Sequence, residues 1–549
     1  MKIHSKLQKN GDGKQMSKRN VLIVLAIITL LTGIIRYRLL DVPLERDEGG
    51  FAYMAELILD GIPPYTQAYD YKPPGLYLMY AVFITIFGKS PTGIHTGLLL
   101  MNIGTMILIF LLARFWYDTK SAIVAVFLSQ VLLVSSSLLG FAAHATHFVI
   151  FFCLLAYLVF EYLHRDKKWL KALIVGALLG CATLMKHSGV LFIIPVLIIP
   201  FLTRKEYGNS FSDAIKISGL IIIGFLVPLI GVLIWLGSTG ALDGFLYWNL
   251  KYPSIVAKEV GTSDLFPRIY RNGIQAAGSF LPVWILSIVC FLYYISRSRG
   301  SKARSRVVLF SIFSFAAVFI GYETRSHYFV LIIPAVAIVI GITVSYLVNR
   351  LKSQFQKVLI FSVPFILTII GIIYQSDYFF TADPAVISRT IYYPNQFADA
   401  EKVAGFIQSR TNDSDRIAIL GSEPEILFLS GRRSATRYIF TNFFHEKHNL
   451  REKMESEMIR EIDSVKPAII VMINQPFSWG ALPRGNWPIL IWAKGYLDRE
   501  YELIGTVKLV SVYTSVFKWD KDARDDPGAL ASQIMIFRRN DRSIIPGTF

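Results

Sequence analysis

Between Leu44 and Leu78 lie adjacent carboxylates at Asp47 and Glu48, then Asp60, Asp70 and Lys72, with Pro-Pro pairs at Pro63-Pro64 and Pro73-Pro74. A carboxylate in this setting serves as a general base toward a hydroxyl, or as an oxygen ligand to a divalent cation. Gly49-Gly50 follows directly and permits close backbone approach to a ligand. The bland alternative is a solvated acidic loop. A second cluster, Glu323-Thr324-Arg325-Ser326-His327-Tyr328, suits anion capture, since Arg forks onto phosphate and His and Tyr add donors. It reads equally as a charge-satisfied turn. Lys186-His187 offers a third cation between two apolar runs, where a lysine could also simply snorkel. His144 and His147 are spaced i, i+3 and could reach one metal, though no carboxylate adjoins them. Taken together, a carboxylate pair and several cations beside apolar segments suit a substrate that combines a phosphate with a polyprenyl tail. No G-x-S-x-G and no phosphate-cradling glycine loop is present, so nucleophilic-elbow and ATP-driven chemistry lack support.

The elements that must position these residues are membrane spans. The chain has 549 residues, 53% of them hydrophobic and 17% charged, with a mean hydropathy of +0.48. Apolar runs near the length that crosses a roughly 30 Å hydrocarbon core make it a polytopic α-helical membrane protein. Eleven spans are expected: 20–40, 92–116, 121–141, 145–163, 169–186, 188–203, 214–237, 273–295, 307–322, 327–347 and 357–375. The net charge of +17 comes largely from short basic connections: Lys18-Arg19, Lys120, 164–168, Arg204-Lys205, Arg297–Arg306 and Arg350–Lys357. Eleven crossings put all six on one side, which the positive-inside rule makes cytoplasmic. That excess therefore does not signal nucleic acid. The basic N-terminus, 1–19, is then cytoplasmic, and the first apolar run is a retained anchor without a small-residue cleavage site. The first outer loop is 41–91, and the short run Leu76–Phe87 within it is expected to be re-entrant or juxtamembrane. Cys153, Cys181 and Cys290 lack metal or disulfide spacing and read as small buried hydrophobes.

Residues 376–549 lack a span-length apolar run. Helix-like Phe397–Ser409 and Glu446–Ile462 alternate with strand-like Arg416–Leu420, Ala468–Ile473, Glu502–Leu509, Val512–Phe517 and Gln533–Phe537. That alternation predicts a small extracytoplasmic α/β domain after the membrane part, 20–375.

At these residues the sequence resembles the GT-C superfamily of polyprenyl-phosphate-sugar-dependent glycosyltransferases, on the branch of bacterial relatives of protein O-mannosyltransferases and the lipid A aminoarabinose transferase. The matches are Asp47-Glu48 with Tyr53, Ala55 and Asp60-Gly61; Tyr71-Lys72-Pro73-Pro74 with Phe87-Gly88; Met185-Lys186 through Pro195; and Arg325-Ser326-His327-Tyr328-Phe329 through Pro334. Arg416–Gly421 and Leu429-Ser430-Gly431-Arg432 add a family-like tail. The resemblance implies an inverting transferase with Asp47 as base and Glu48 beside it as its catalytic partner. It places Lys72, Lys186, Arg325, His327 and Tyr328 around the donor phosphate. The acceptor is an envelope glycan, lipid or protein, and the setting a bacterial-type inner membrane. Tyr71 stands where relatives carry an acid before Lys-Pro-Pro. Where some relatives have an acid at the outer end of the fourth span, this chain has His144, Thr146 and His147. Both departures bear on whether a divalent metal cation serves as cofactor. A transporter or flippase of lipid-linked saccharides is the alternative; it would place charges near mid-span and show paired halves.

Overall fold

The computed structural model describes residues 17–163, 167–206, 208–260, 265–298, 303–320, 324–444, 450–480 and 487–541. Glu323, the basic residues before position 17, Arg299, Lys302 and the start of the 446–462 run lie outside the described residues.

Each predicted span except 121–141 folds as helix over nearly its whole length. In chain order the first nine helices are α1 (Lys18–Arg38), α2 (Arg46–Leu59), α3 (Pro74–Phe87), α4 (Pro91–Trp116), α5 (Thr119–Leu132), α6 (Ala145–Glu161), α7 (Lys168–Met185), α8 (Ile193–Leu202) and α9 (Phe211–Ser238). A short α10 (Leu242–Leu246), α11 (Tyr252–Val260) and α12 (Leu265–Ala277) precede α13 (Leu281–Arg297), α14 (Arg304–Val318), α15 (Ile333–Arg350) and α16 (Gln354–Tyr374). Among the described residues, seven stretches are long and apolar enough to cross a membrane: α1, α4, α7, α9, Leu265–Arg297, Ser326–Arg350 and α16. The other predicted spans form the shorter helices 119–132, 145–161, 187–202 and 304–318.

The expected span 121–141 is corrected. Its helix stops at Leu132, because Ser135-Ser136-Ser137 and Gly140 turn the chain through a 3-10 turn, Ser136–Leu138. The buried Arg36 guanidinium secures that turn by donating to the carbonyls of Leu133 at 2.9 Å and Gly140 at 3.2 Å. The apolar run of the first outer loop, expected as re-entrant or juxtamembrane, is the 14-residue α3, opened by Pro74 in its first turn. At 1.5 Å per residue it measures about 21 Å, short of a full bilayer core. Elsewhere helices touch backbone to backbone. A Cβ on Gly176 of α7 would lie 2.0 Å from the Ile221 carbonyl of α9, and Gly224 meets Leu173 as closely. Small residues allow such contact in a membrane, where dispersion and not hydrophobicity drives association.

After α16 come α17 (Pro384–Tyr392), α18 (Ala400–Gln408), α19 (Glu425–Ser430), α20 (Arg451–Val465) and α21 (Pro488–Glu500). They surround a six-stranded sheet of order β2-β1-β3-β6-β4-β5. Its strands are β1 (Arg416–Leu420), β2 (Arg433–Ser434), β3 (Ile469–Ile473), β4 (Tyr501–Ser511), β5 (Thr514–Trp519) and β6 (Ile534–Arg539). The three strands at the β2 end run parallel and β6, β4 and β5 add antiparallel pairs. Five of the six match the expected strand positions.

This C-terminal unit is seated on α2 and is not merely tethered to α16. A Cβ on Gly49 would come within 2.5 Å of Glu425 backbone nitrogen, and one on Gly50 within 2.3 Å of the Phe440 ring. Arg46 donates to the Ser422 carbonyl at 2.7 Å and pairs with Glu423 at 3.6 Å. Ser434 donates its amide to the Tyr53 hydroxyl at 2.8 Å. The Gly-Gly pair, read from sequence as room for a ligand, makes room for this domain instead.

Candidate active site

Asp47 stands in the first turn of α2, whose N-cap is Glu45, accepting from the Glu48 amide at 3.1 Å. Carboxylates in a first turn face the positive end of the helix dipole. Burial is the largest influence on Asp47 and pushes its pKa up. Lys72, Arg325, His144 and Arg46 around it outweigh burial and hold the carboxyl below its usual range. Asp47 is therefore ionised at neutral pH, as a base must be.

The two carboxylates that adjoin in sequence part in space. Glu48 is fully buried; its Oε1 accepts from the Ala143 amide at 2.6 Å and faces His95 Nε2 at 3.0 Å. Burial pushes its pKa up, but His95, His144 and the Ala143 amide prevail and lower it. His95 in turn contacts the Leu40 carbonyl at 2.8 Å. Glu48, expected as a catalytic residue, thus ties the start of α2 to α4 and to the backbone just before His144. Sequence reading missed His95, whose signal was a lone imidazole on the apolar α4.

The histidines are also re-sorted. His144 stacks on His327, with centroids 3.9 Å apart and planes 7° from parallel. One donor atom each from Asp47, His144 and His327 lies within 4.8 Å of the others. His147 turns away, its Nδ1 3.3 Å from Asn102 Oδ1. The i, i+3 pairing is therefore replaced by a pairing across the chain. Its cause is a break in backbone direction: His144 is the extended N-cap residue of α6, whereas His147 is already inside that helix.

Lys72, Lys186 and Tyr328 line one cavity of about 320 Å³ together with Tyr71, Asn249 and Tyr252. Lys186 Nζ lies 2.9 Å from the Tyr328 ring centroid, and Lys72 Nζ is 3.9 Å from that of Tyr71. Lys72 is held through its backbone. Tyr65 donates its hydroxyl to the Lys72 carbonyl at 2.6 Å, and the Asn249 amide reaches the same oxygen at 3.1 Å. Tyr77 lies 3.1 Å from that oxygen and donates to the buried Asp70 at 2.9 Å. Asn249 belongs to a π-helical turn, Tyr247–Lys251, between α10 and α11. Such turns recur at functional sites. Its only sequence signal was the density of aromatic residues in Tyr247–Pro253. Arg325 is the N-cap of the 3-10 turn Ser326–Ile332 and contributes to the field at Asp47.

Residues 71–235 match the family described as Dolichyl-phosphate-mannose-protein mannosyltransferase. No curated protein matches the chain by sequence. Among solved structures, ArnT from Cupriavidus metallidurans bound to undecaprenyl phosphate aligns with a TM-score of 0.57 at 14% identity, over 83% of this chain and 94% of that one. The archaeal oligosaccharyltransferase AglB from Archaeoglobus fulgidus, in complex with an inhibitory peptide and a dolichol-phosphate, aligns at 0.50 and 13%, over 92% and 75%. An Archaeoglobus fulgidus oligosaccharyltransferase in complex with Zn and sulfate aligns at 0.52 and 14%, over 92% and 74%. These likenesses, together with the matched segment, bear out the resemblance to the GT-C superfamily and the polytopic fold with a C-terminal domain.

Proposed function

We propose that this chain transfers a sugar, with inversion, from a polyprenyl-phosphate donor to an acceptor hydroxyl at the site around Asp47. The carrying observation is an ionised carboxylate, Asp47, in the field of Lys72 and Arg325, with Lys72 also lining the cavity that Lys186 and Tyr328 share. The relatives that bind undecaprenyl phosphate and dolichol-phosphate support the same donor class. Asp47 takes the proton of the acceptor hydroxyl as its oxygen bonds to the anomeric carbon. The bond from that carbon to the phosphate oxygen breaks, its electron pair leaves with the lipid phosphate, and the three cations stabilise the departing charge.

Asp47, His144 and His327 fit a divalent cation. They offer one carboxylate oxygen and two imidazole nitrogens, and His144 Nε2 is buried without a hydrogen-bond partner among the described residues. A cation held there would polarise the acceptor hydroxyl. The site faces the outside of a bacterial-type inner membrane, with the N-terminus in the cytoplasm and the domain after residue 375 on the outer side. The acceptor is an envelope glycan, lipid or protein.

Asp47→Asn in folded, purified protein is expected to lower transfer from a polyprenyl-phosphate sugar by about 10²–10⁴-fold. Undiminished transfer would remove Asp47 from the base role. The transporter alternative has no specific observation in its favour: the buried pair Arg306–Glu161 joins the start of α14 to the end of α6, away from mid-span.

A further inference from the structure

A second cavity, of about 340 Å³, opens on the seam between the membrane helices and the C-terminal domain. Three pieces of chain build it: the first outer loop with Tyr69, the stretch after α9 with Gly240 and, in the π-helical turn, Tyr247 and Trp248, and the C-terminal domain with Arg437, Tyr438 and Glu457. Neither the proposed transfer step nor the metal trio uses it.

Its walls are pre-organised. Tyr69 packs on Trp248 at 4.7 Å and edge-on to Tyr438 at 5.1 Å, with the Arg437 guanidinium 5.0 Å over the Tyr69 ring. Arg437 bonds Glu461 at 2.6 Å and also pairs with Glu457, which accepts from the Tyr438 hydroxyl at 2.8 Å. The half-buried Tyr247 and the exposed Lys453 and Gly240 stand nearer solvent. The partly exposed Tyr247 ring, backed by the buried Tyr69–Trp248–Tyr438 cluster and set beside the fixed charges of Arg437 and Glu457, matches a ring with apolar C–H faces and hydroxyl edges, and suits neither a bare phosphate nor an alkyl chain. The size falls in the range of a small-ligand cleft. Among the described residues the lining comes from turns and a helix, without an open strand edge that an extended peptide would pair with.

The two cavities stand back to back. Tyr69 lines the seam, while Tyr71 and Lys72, two and three residues on, line the donor cavity. Tyr247 and Trp248 line the seam, and Asn249 and Tyr252 line the other side. The partition is the segment 69–72 and the π-helical turn.

We propose that the seam cavity binds a saccharide unit of the acceptor, next to the donor site. The word acceptor rests on the transferase reading above; the binding of a sugar does not.

The test uses the full chain in lipid nanodiscs without donor. Hydrogen exchange of peptides covering Tyr247 and Glu457 is followed against manno-, gluco- and N-acetylglucosamine oligosaccharides, the same glycans on a lipid anchor, and a Ser/Thr-rich peptide. Saccharide is expected to protect both peptides in the wild type and in Tyr247→Phe, with about tenfold weaker binding in Tyr247→Ala. Protection by free glycans as well as anchored ones identifies the sugar itself, and protection by anchored ones alone identifies a glycolipid headgroup; both support the cavity. Protection by none of these, by the peptide alone, or undiminished in Tyr247→Ala overturns the proposal. Thermal unfolding shows that each variant is folded. Donor cleavage measured separately keeps the two readings apart: sugar protection without any donor turnover would retain the seam and remove the transferase.

Discussion

At the residue scale, the chemistry depends on which histidines meet. A single sequence shows His144 and His147 three apart and His327 far away, yet Asp47 meets His144 and His327. A borderline cation with nitrogen and oxygen ligands, zinc foremost, suits that donor set. Metal analysis of the purified chain is expected to give about one zinc per chain. His144→Ala and His327→Ala should each lose it, and His147→Ala should keep it. Equal retention in all three would dissolve the trio; loss in His144→Ala and His147→Ala with retention in His327→Ala would restore the i, i+3 pairing. The residue types at the site were legible because ionisable groups at span ends are costly without a function or a partner. The partners were not legible. Glu48 looks like its neighbour until His95 and the Ala143 amide, from distant parts of the chain, are seen on its carboxylate.

At the element scale, α2 serves both the site and the C-terminal domain. Its first turn carries Asp47, and Gly49 and Gly50 accept α19 and Phe440. The obstacle to a side chain at Gly49 is Glu425 backbone, which cannot rotate aside. Gly49→Ala is expected to destabilise the docked domain by about 1–3 kcal/mol, as overpacking does. Hydrogen exchange would then rise across 425–440 while the membrane helices stay protected. An unchanged exchange pattern would show that the domain tolerates the methyl group and that the contact is loose.

Glu425 itself is buried there with neither carboxylate oxygen hydrogen-bonded among the described residues. Burial, then repulsion from Glu423, holds its pKa well above the ordinary glutamate value; Arg46 opposes this and Glu45 reinforces it. The sign follows from linkage. A carboxyl that keeps its proton longer when folded contributes stability below the ordinary glutamate range, and loses it as pH rises through the folded value. Glu425→Gln, which does not titrate, should therefore unfold at higher temperature than the wild type at pH 8, by roughly 2–4 °C per kcal/mol, and converge with it below about pH 4. Parallel pH curves for the two proteins would contradict this placement. Helices and strands themselves were readable from period and composition. The break at Leu132 and the docking on α2 were not, because each depends on a distant partner: Arg36 for the first, Glu425 and Phe440 for the second.

At the scale of the whole molecule, the contacts gather the basic connections at one end. Ser345 donates to Asp118 at 2.5 Å and Lys120 to Asn349 at 3.0 Å, joining the turn before α5 to the end of α15. Glu161 accepts from Trp116 at 2.7 Å and from Arg306 at 3.1 Å, which joins the ends of α4 and α6 to the start of α14. Lys168 meets Asp213 at 3.1 Å, adding α7 and α9. At the other ends of these helices stand His144, Lys186, Tyr328 and, through α2, the C-terminal domain. A charge pattern read one loop at a time therefore describes a real common face. Which side of the membrane that face meets follows from the positive-inside rule, and labelling can decide it. In a chain otherwise free of reactive cysteine, Asn412→Cys, exposed after α18, is expected to react with an impermeant maleimide on intact cells. Lys352→Cys, exposed between α15 and α16, is expected to react only after permeabilisation. The reverse result would place the donor cavity and Asp47 in the cytoplasm and overturn the topology. Labelling of both from outside would mean that the two ends of α16 share one side, which the eleven-span arrangement forbids.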